Sequence, residues 1–214
     1  MEGFIKKVEQ VAKQRFQGNS SCHDWDHVIR VRSLALAIGK KEKANLKTVE
    51  TAALLHDIMR AEEARKKGKI CHALAGAQEA EKILLKLGEE ESFIKAVKHC
   101  IEAHRYRNSH QPRSIEAKVL SDADKLDALG AIGVGRGFMW CGHHGLNLHN
   151  TDPKIISQNN PYDKKHCLYA EYHIKLKFLK DRMFTRTGKK IAKERSAFMA
   201  EFLKRLDSEV KGKL

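Results

Sequence analysis

The chain has 214 residues, 42% of them hydrophobic and only three of them proline, so it can bury a sizeable core and is neither disordered nor collagen-like. A net charge of +14, from 41 Lys and Arg against 27 Asp and Glu, attracts phosphates of any kind, in nucleotide, nucleic acid or membrane headgroup, and chooses among none of them. Five scattered cysteines (Cys22, Cys71, Cys100, Cys141, Cys167) with no C-x-x-C pair, and no run near the roughly 20 apolar residues of a membrane span, argue against a disulfide scaffold or a membrane protein and favour reduced thiols in a cytoplasm.

The opening "MEGFIKKVEQVAKQRF" sets Phe4, Ile5, Val8, Val11 and Ala12 at helical spacing among lysines, unlike a signal peptide. The segment "HDWDHVIRV" opens a second helix whose stripe is Val28, Val31, Leu34, Ala35 and Ile38, and Val49, Ala52, Ala53, Leu55 and Ile58 mark a third. Further helical patterns cover about 73–87, 91–104, 115–140, 167–183 and 188–210. Gly68, "RNSHQPRS" and "HNTDPKIISQNNPYDKK" read as loops, and the stretch from Cys141 to Lys165 is long enough to shape the mouth of a site. With no alternating strand, no repeat and no divided composition, the expectation is one all-α domain over 1–214, a helical bundle with C-terminal helices packing on its core.

Three segments place chemistry on this apolar frame. "TAALLHDIMR" runs from a core helix into adjacent His56 and Asp57, and burying the Asp57 charge without compensation would be costly. Neighbouring helix residues point about 100° apart, but both can converge on one ion at a helix end. Upstream lie His23, Asp24, Asp26 and His27; downstream, "VLSDADKLDALGAIG" brings Asp122, Asp124 and Asp127. Mixed imidazole and carboxylate donors from three helices suit a divalent ion with open coordination positions, which acidifies water and stabilises phosphoryl charge. Asp57 can be both ligand and proton acceptor, or Asp24 can take the proton, and His23 can act beside a ligand or on a phosphate. Lys125, next to Asp124, and Arg136, about three turns on, are candidate phosphate partners.

This order, H…HD…D, resembles the HD-domain metal-dependent phosphohydrolase superfamily. The longer stretches "HALAGAQEA", "AKVLSDADKLDALGAIGVGR" and "YHIKLKFLKDRMFTRTGKKIAKERSAFMAEFL" look like its YedJ/YpgQ-like subgroup. The resemblance implies an all-helical HD fold and the metal ligands His27, His56, Asp57 and Asp124, the last preferred over Asp122 and Asp127 because "ADKL" matches the family's pattern. It implies a divalent ion, with manganese favoured over iron, nickel, magnesium or zinc, and hydrolysis of a phosphate bond in a nucleotide or other phosphorylated small molecule. In related binuclear proteins, histidines placed like His72 and His104 bind a second ion. Here "HR" stands where those have "HH", so substrate contacts are the preferred roles for both. A zinc knot from "CGHHG" (Cys141, His143, His144) lacks the paired spacing such sites need. "GAIGVGRG" follows a helix rather than a strand and is unlike a dinucleotide turn. The competing reading is a basic nucleic-acid-binding or regulatory protein that keeps its metal as a structural clamp.

Overall fold

The computed structural model describes residues 2–16, 23–105, 110–158 and 160–214. Cys22 and the first part of "RNSHQPRS" lie outside them. Among the described residues there are helices, turns and no β-strand, as the 3.6-residue apolar periodicity predicts. By their internal contacts the residues fall into two compact units, Met1–Asp124 with Phe184–Gly188, and Lys125–Met183 with Lys189–Leu214.

The first unit begins with α1 (Glu2–Arg15), α2 (Trp25–Lys41) and α3 (Leu46–Leu55). Side chains mark the last two starts: the Asp24 carboxylate accepts from the His27 backbone N–H at 2.9 Å, and Asn45 Oδ1 accepts from Thr48 N–H at 3.0 Å. Most of the stripes anticipated on these helices are buried, with Val28, Val31, Ala35 and Ile38 on α2 facing inward like Val49, Ala52, Ala53 and Leu55 on α3, while Phe4, Val11 and Leu34 are only partly buried. A short α4 (Arg60–Arg65) leads to α5 (His72–Lys86) and α6 (Glu91–Ala103), which pack on each other; α6 also packs on α3, and α3 on α2. The helix α7 (Ile115–Leu126) carries Asp122 and Asp124.

Segment 184–188 is tied into this unit by one buried carboxylate. Asp122 accepts from the backbone N–H groups of Phe184 (2.9 Å) and Thr185 (2.8 Å) and from Thr185 Oγ1–H (2.7 Å). A methyl group at Gly188 would run into that carboxylate, so the close approach requires glycine.

The second unit holds α8 (Gly130–His143), α9 (Pro153–Gln158), α10 (Leu168–Ile174), a 3-10 helix (Leu176–Arg182) and most of α11 (Arg186–Val210). The pattern expected as one helix over 115–140 is two: Leu126 ends α7 and Gly130 opens α8 at φ +74°, a left-handed backbone that a side chain rarely adopts. A Cβ at Gly130 would also stand 3.0 Å from Arg195 Cγ. Likewise 167–183 divides between α10 and the 3-10 helix, and the polar stretch read as loop contains α9. Ile155, Cys167 and Ala170 form a small core here, with Ile156, Tyr169 and Ile174 packed on it.

Candidate metal centre

Each cluster residue lies at the end of a helix. His27 is in the first turn of α2, set by the Asp24 cap; His56 caps the C-terminus of α3, and Asp57 follows in the next turn. His72 begins α5, His104 caps α6, and Asp124 is in the last turn of α7. The turn at 56–57 lets adjacent side chains converge where a continuing helix would splay them.

Asp57 is central, and its two oxygens face different imidazoles. Its Oδ2 is 3.3 Å from His23 Nδ1, 3.8 Å from His27 Nε2 and 3.9 Å from His56 Nε2. Its Oδ1 is 3.3 Å from His72 Nε2 and 3.7 Å from His104 Nε2. Asp124 Oδ1 closes the first side, 3.5 Å from His27 Nε2 and 4.0 Å from His56 Nε2. His27, His56, Asp57, His72 and His104 are all buried.

The tautomers follow from the outer ring nitrogens. His56 Nδ1 is 2.7 Å from the Ala53 carbonyl and His104 Nδ1 is 2.5 Å from the Ile101 carbonyl; a carbonyl only accepts, so each Nδ1 carries hydrogen. In the neutral rings both Nε2 atoms then present lone pairs to the centre. Burial pushes His56 down to about 4, despite the opposing charge of Asp57, and does the same to His72, also about 4. His104 is also desolvated, but its hydrogen bond to Asp57 and the charges of Asp124 and Asp57 raise it overall. Burial alone would raise Asp57; His56, His104 and His23 outweigh it and hold the carboxyl well below the usual carboxylate range. Asp124 is lowered in the same way.

Three groups have donor atoms close enough to hold an ion, every pair within 4.8 Å: His23, His27 and Asp57; His27, His56 and Asp124; Asp57, His72 and His104. The chemistry fits a divalent cation. The buried Asp57 carboxylate and the partly exposed Asp124 carboxylate face inward lone pairs, and His27 Nε2 and His56 Nε2 stand 3.3 Å apart. Such separations are close to the edge of about 3 Å expected between neighbouring ligands around a six-coordinate ion. The structure therefore brings together His23, His27, His56, Asp57, His72, His104 and Asp124.

The other sequence candidates have different surroundings. Asp24 Oδ1 is engaged in capping α2. Asp122 anchors 184–185, and Asp127 accepts from Arg136 Nη1 at 2.9 Å, so neither competitor stands where Asp124 does. Arg136, expected to meet a phosphate, also donates to the Asp127 carbonyl at 3.1 Å. Lys125, expected to be an exposed lysine, is 7% exposed, because this turn of α7 faces protein rather than solvent. Both belong to the second unit. Among the described residues the "CGHHG" stretch contributes to no ion-holding group.

Sequence reasoning missed a charged ring around His72. The Glu63 carboxylate lies 2.8 Å from His72 Nδ1 and accepts from Arg60 Nη1 at 3.0 Å and Arg105 Nη1 at 2.8 Å. Arg60 also approaches His72 Nδ1 (3.0 Å) and, through Nη2, His23 Nε2 (3.4 Å). In "RAEEAR" these residues look like a solvated helix face; the one available signal was Arg105 in the "HR" that departs from the binuclear pattern.

The sequence profile of the HD domain matches residues 24–129, the span that carries every one of these groups except His23. The chain is 34% identical over 215 residues to YpgQ of Bacillus subtilis, covering 97% of this chain and 96% of that protein. The chain belongs to the HD-domain family. The structure of this HD protein is similar to that of Bacillus subtilis YpgQ solved in complex with ADP, at a TM-score of 0.75 and 32% identity over 98% of this chain and 100% of the other. It is equally similar to an HD-superfamily hydrolase from Bacillus thuringiensis (TM-score 0.75, 30% identity, 98% of each chain). The HD protein thus has the fold of HD-superfamily hydrolases, with a His/Asp cluster able to hold a metal ion. None of its described helices is long and apolar enough to cross a membrane.

Proposed function

We propose that this HD protein is a divalent-metal-dependent phosphohydrolase that cleaves a phosphate ester or anhydride bond of a nucleotide. The observation that carries this reading is the convergence of the buried His27 and His56 Nε2 atoms and the buried Asp57 carboxylate with the carboxylate of Asp124. Those four residues would hold the ion, with manganese favoured. When bound, an ion of this kind supplies acidified water and neutralises charge on phosphoryl oxygens. Asp57 stays ionised at neutral pH and is placed to orient water and accept its proton, while His23 lies against the same oxygen. Lys125, next in sequence to Asp124, remains a candidate phosphate partner. The ADP complex of YpgQ supports a nucleotide as the substrate class.

Substrate contacts are the roles proposed for His72 and His104, and their geometry supports one alternative. Their Nε2 atoms are 3.3 Å apart and both face Asp57 Oδ1, an arrangement better suited to a cation than to an anionic oxygen, so a second ion, which His72, His104 and Asp57 would hold, is the alternative reading of this pair.

The test is a screen of the purified protein with manganese, iron, nickel, magnesium or zinc against nucleoside mono-, di- and triphosphates and cyclic nucleotides, beside an Asp57→Ala variant. Turnover that the variant lacks is expected. No turnover with any pair, together with salt-dependent binding to nucleic acid, would instead establish a basic binding protein with a structural ion.

A further inference from the structure

We infer that Arg60, paired with Arg105 across Glu63, forms a second anion subsite that takes a phosphate group beyond the one acted on, making the protein selective for substrates with at least two linked phosphates. This rests on the metal-dependent reading above. Arg60 is one imidazole ring away from Asp57 by two routes: through His23, whose Nδ1 lies 3.3 Å from Asp57 Oδ2, and through His72, whose Nε2 lies 3.3 Å from Asp57 Oδ1. That spacing suits a phosphate adjoining one held at the centre, not the same phosphate.

Charge points the same way. Among the described residues, Arg60 and Arg105 share the single carboxylate of Glu63. With a divalent ion bound and the imidazoles neutral, the ion and two guanidiniums outweigh Asp57, Asp124 and Glu63 by one positive charge. The surplus is accessible, since the Arg60 and Arg105 side chains are 32% and 29% exposed whereas Glu63 is 12% exposed. A guanidinium presents a planar fork that binds phosphate through two parallel N–H donors, and its hold on Glu63 is one a dianionic phosphate can replace. Glu63 meanwhile keeps Arg105 and His72 as partners, so engaging Arg60 with substrate leaves no buried carboxylate unpaired.

The experiment is calorimetric titration of the manganese-loaded full chain with α,β-methylene-ADP, AMP and methylenebisphosphonate, on wild type, Arg60→Ala and Arg60→Lys. Wild type is expected to prefer methylene-ADP to AMP, and Arg60→Ala to lose about 10- to 100-fold in affinity for methylene-ADP, as for removal of a charge-assisted pair, so that the preference collapses. Parallel loss for the bisphosphonate shows that the linked phosphates are recognised without the nucleoside; loss for methylene-ADP alone shows that the nucleoside is also required. Arg60→Lys keeps the charge without the fork and should fall between, and it carries the test if the alanine variant loses its fold or its ion. A variant that holds manganese and keeps the wild-type preference overturns the subsite. Wild type that shows this preference yet hydrolyses no phosphate bond overturns the proposed activity and leaves the subsite standing.

Discussion

Two carboxylates separated by a single residue on α7 should fail in opposite ways when removed. Asp122→Ala deletes the acceptor of three hydrogen bonds, from Phe184 N–H, Thr185 N–H and Thr185 Oγ1–H at 2.9, 2.8 and 2.7 Å. Each bond to a charged acceptor contributes about 1.5–3 kcal/mol, but Phe184 is 38% exposed and water can replace its partner, whereas Thr185 is buried and would be left unsatisfied. The net cost should be about 3–5 kcal/mol, the range for breaking a buried charged interaction. For a chain of this size that lowers the melting temperature by roughly 6–20 °C. Asp124→Ala removes a carboxylate that faces His27 and His56 Nε2 atoms, so it should leave chelator-treated protein close to wild type and lose bound metal instead. Melting is measured in excess chelator, which removes stabilisation by metal binding, and metal content is measured on protein purified without chelator. Asp122→Ala protein that melts normally but has lost its metal would refute the division of roles.

In chelator, burial holds His56 and His72 at about 4, below the ordinary value, so between about pH 6.5 and 4 the unfolded chain binds protons that the folded one refuses. Stability should fall as pH drops through that window and fall further below it, where the unfolded chain takes up protons that the lowered Asp57 and Asp124 carboxyls refuse; raised His104 stabilises fully below about 6.5 and loses that contribution only as pH rises above it, so it leaves the fall within the window intact. A melting temperature that does not fall between about pH 7 and 4.5 would contradict this balance. Arg136→Ala would remove one guanidinium from the Asp127 side chain, 1% exposed, while Arg195 stays near it, and should cost about 1–3 kcal/mol; unchanged melting with reduced turnover would restore Arg136 to the phosphate role expected from the sequence. Metal titration should show one tight ion lost in Asp57→Ala, and any weaker second ion should disappear in His104→Ala; retention of the second ion there would separate it from His72 and His104.

How much of this was legible in the sequence depends on what each residue is surrounded by. His56–Asp57 could be placed because four apolar residues precede them, and a charge at the end of a buried helix requires compensation whatever the fold. Choosing Asp124 over Asp122 and Asp127 required the family pattern, since all three lie on the same apolar stretch. The reason the other two are excluded is tertiary: Asp122 meets the backbone of residues 62 and 63 positions away, a partner that no local periodicity announces. The break between α7 and α8 was hidden for a related reason. "LDALGAIG" keeps its apolar spacing through Gly130, and a single glycine in a helical pattern does not reveal that its φ has become positive.

Arg60, Glu63 and Arg105 escaped notice because charge patterning assigns such residues to solvent by default. What makes them part of the centre is His72. Glu63 meets the outer nitrogen of that ring at 2.8 Å, while the inner nitrogen faces Asp57. His56 and His104 need only backbone carbonyls three residues back to fix their tautomers, so the local helix end already encodes their orientation. His72 begins its helix instead of ending one, has no such carbonyl behind it, and takes a side-chain carboxylate from a separate helix in its place. An outer ring nitrogen held by a titratable, exchangeable acceptor, and not by the backbone, opens that edge of the centre to arginines. There substrate charge can be recognised without disturbing the ligands themselves.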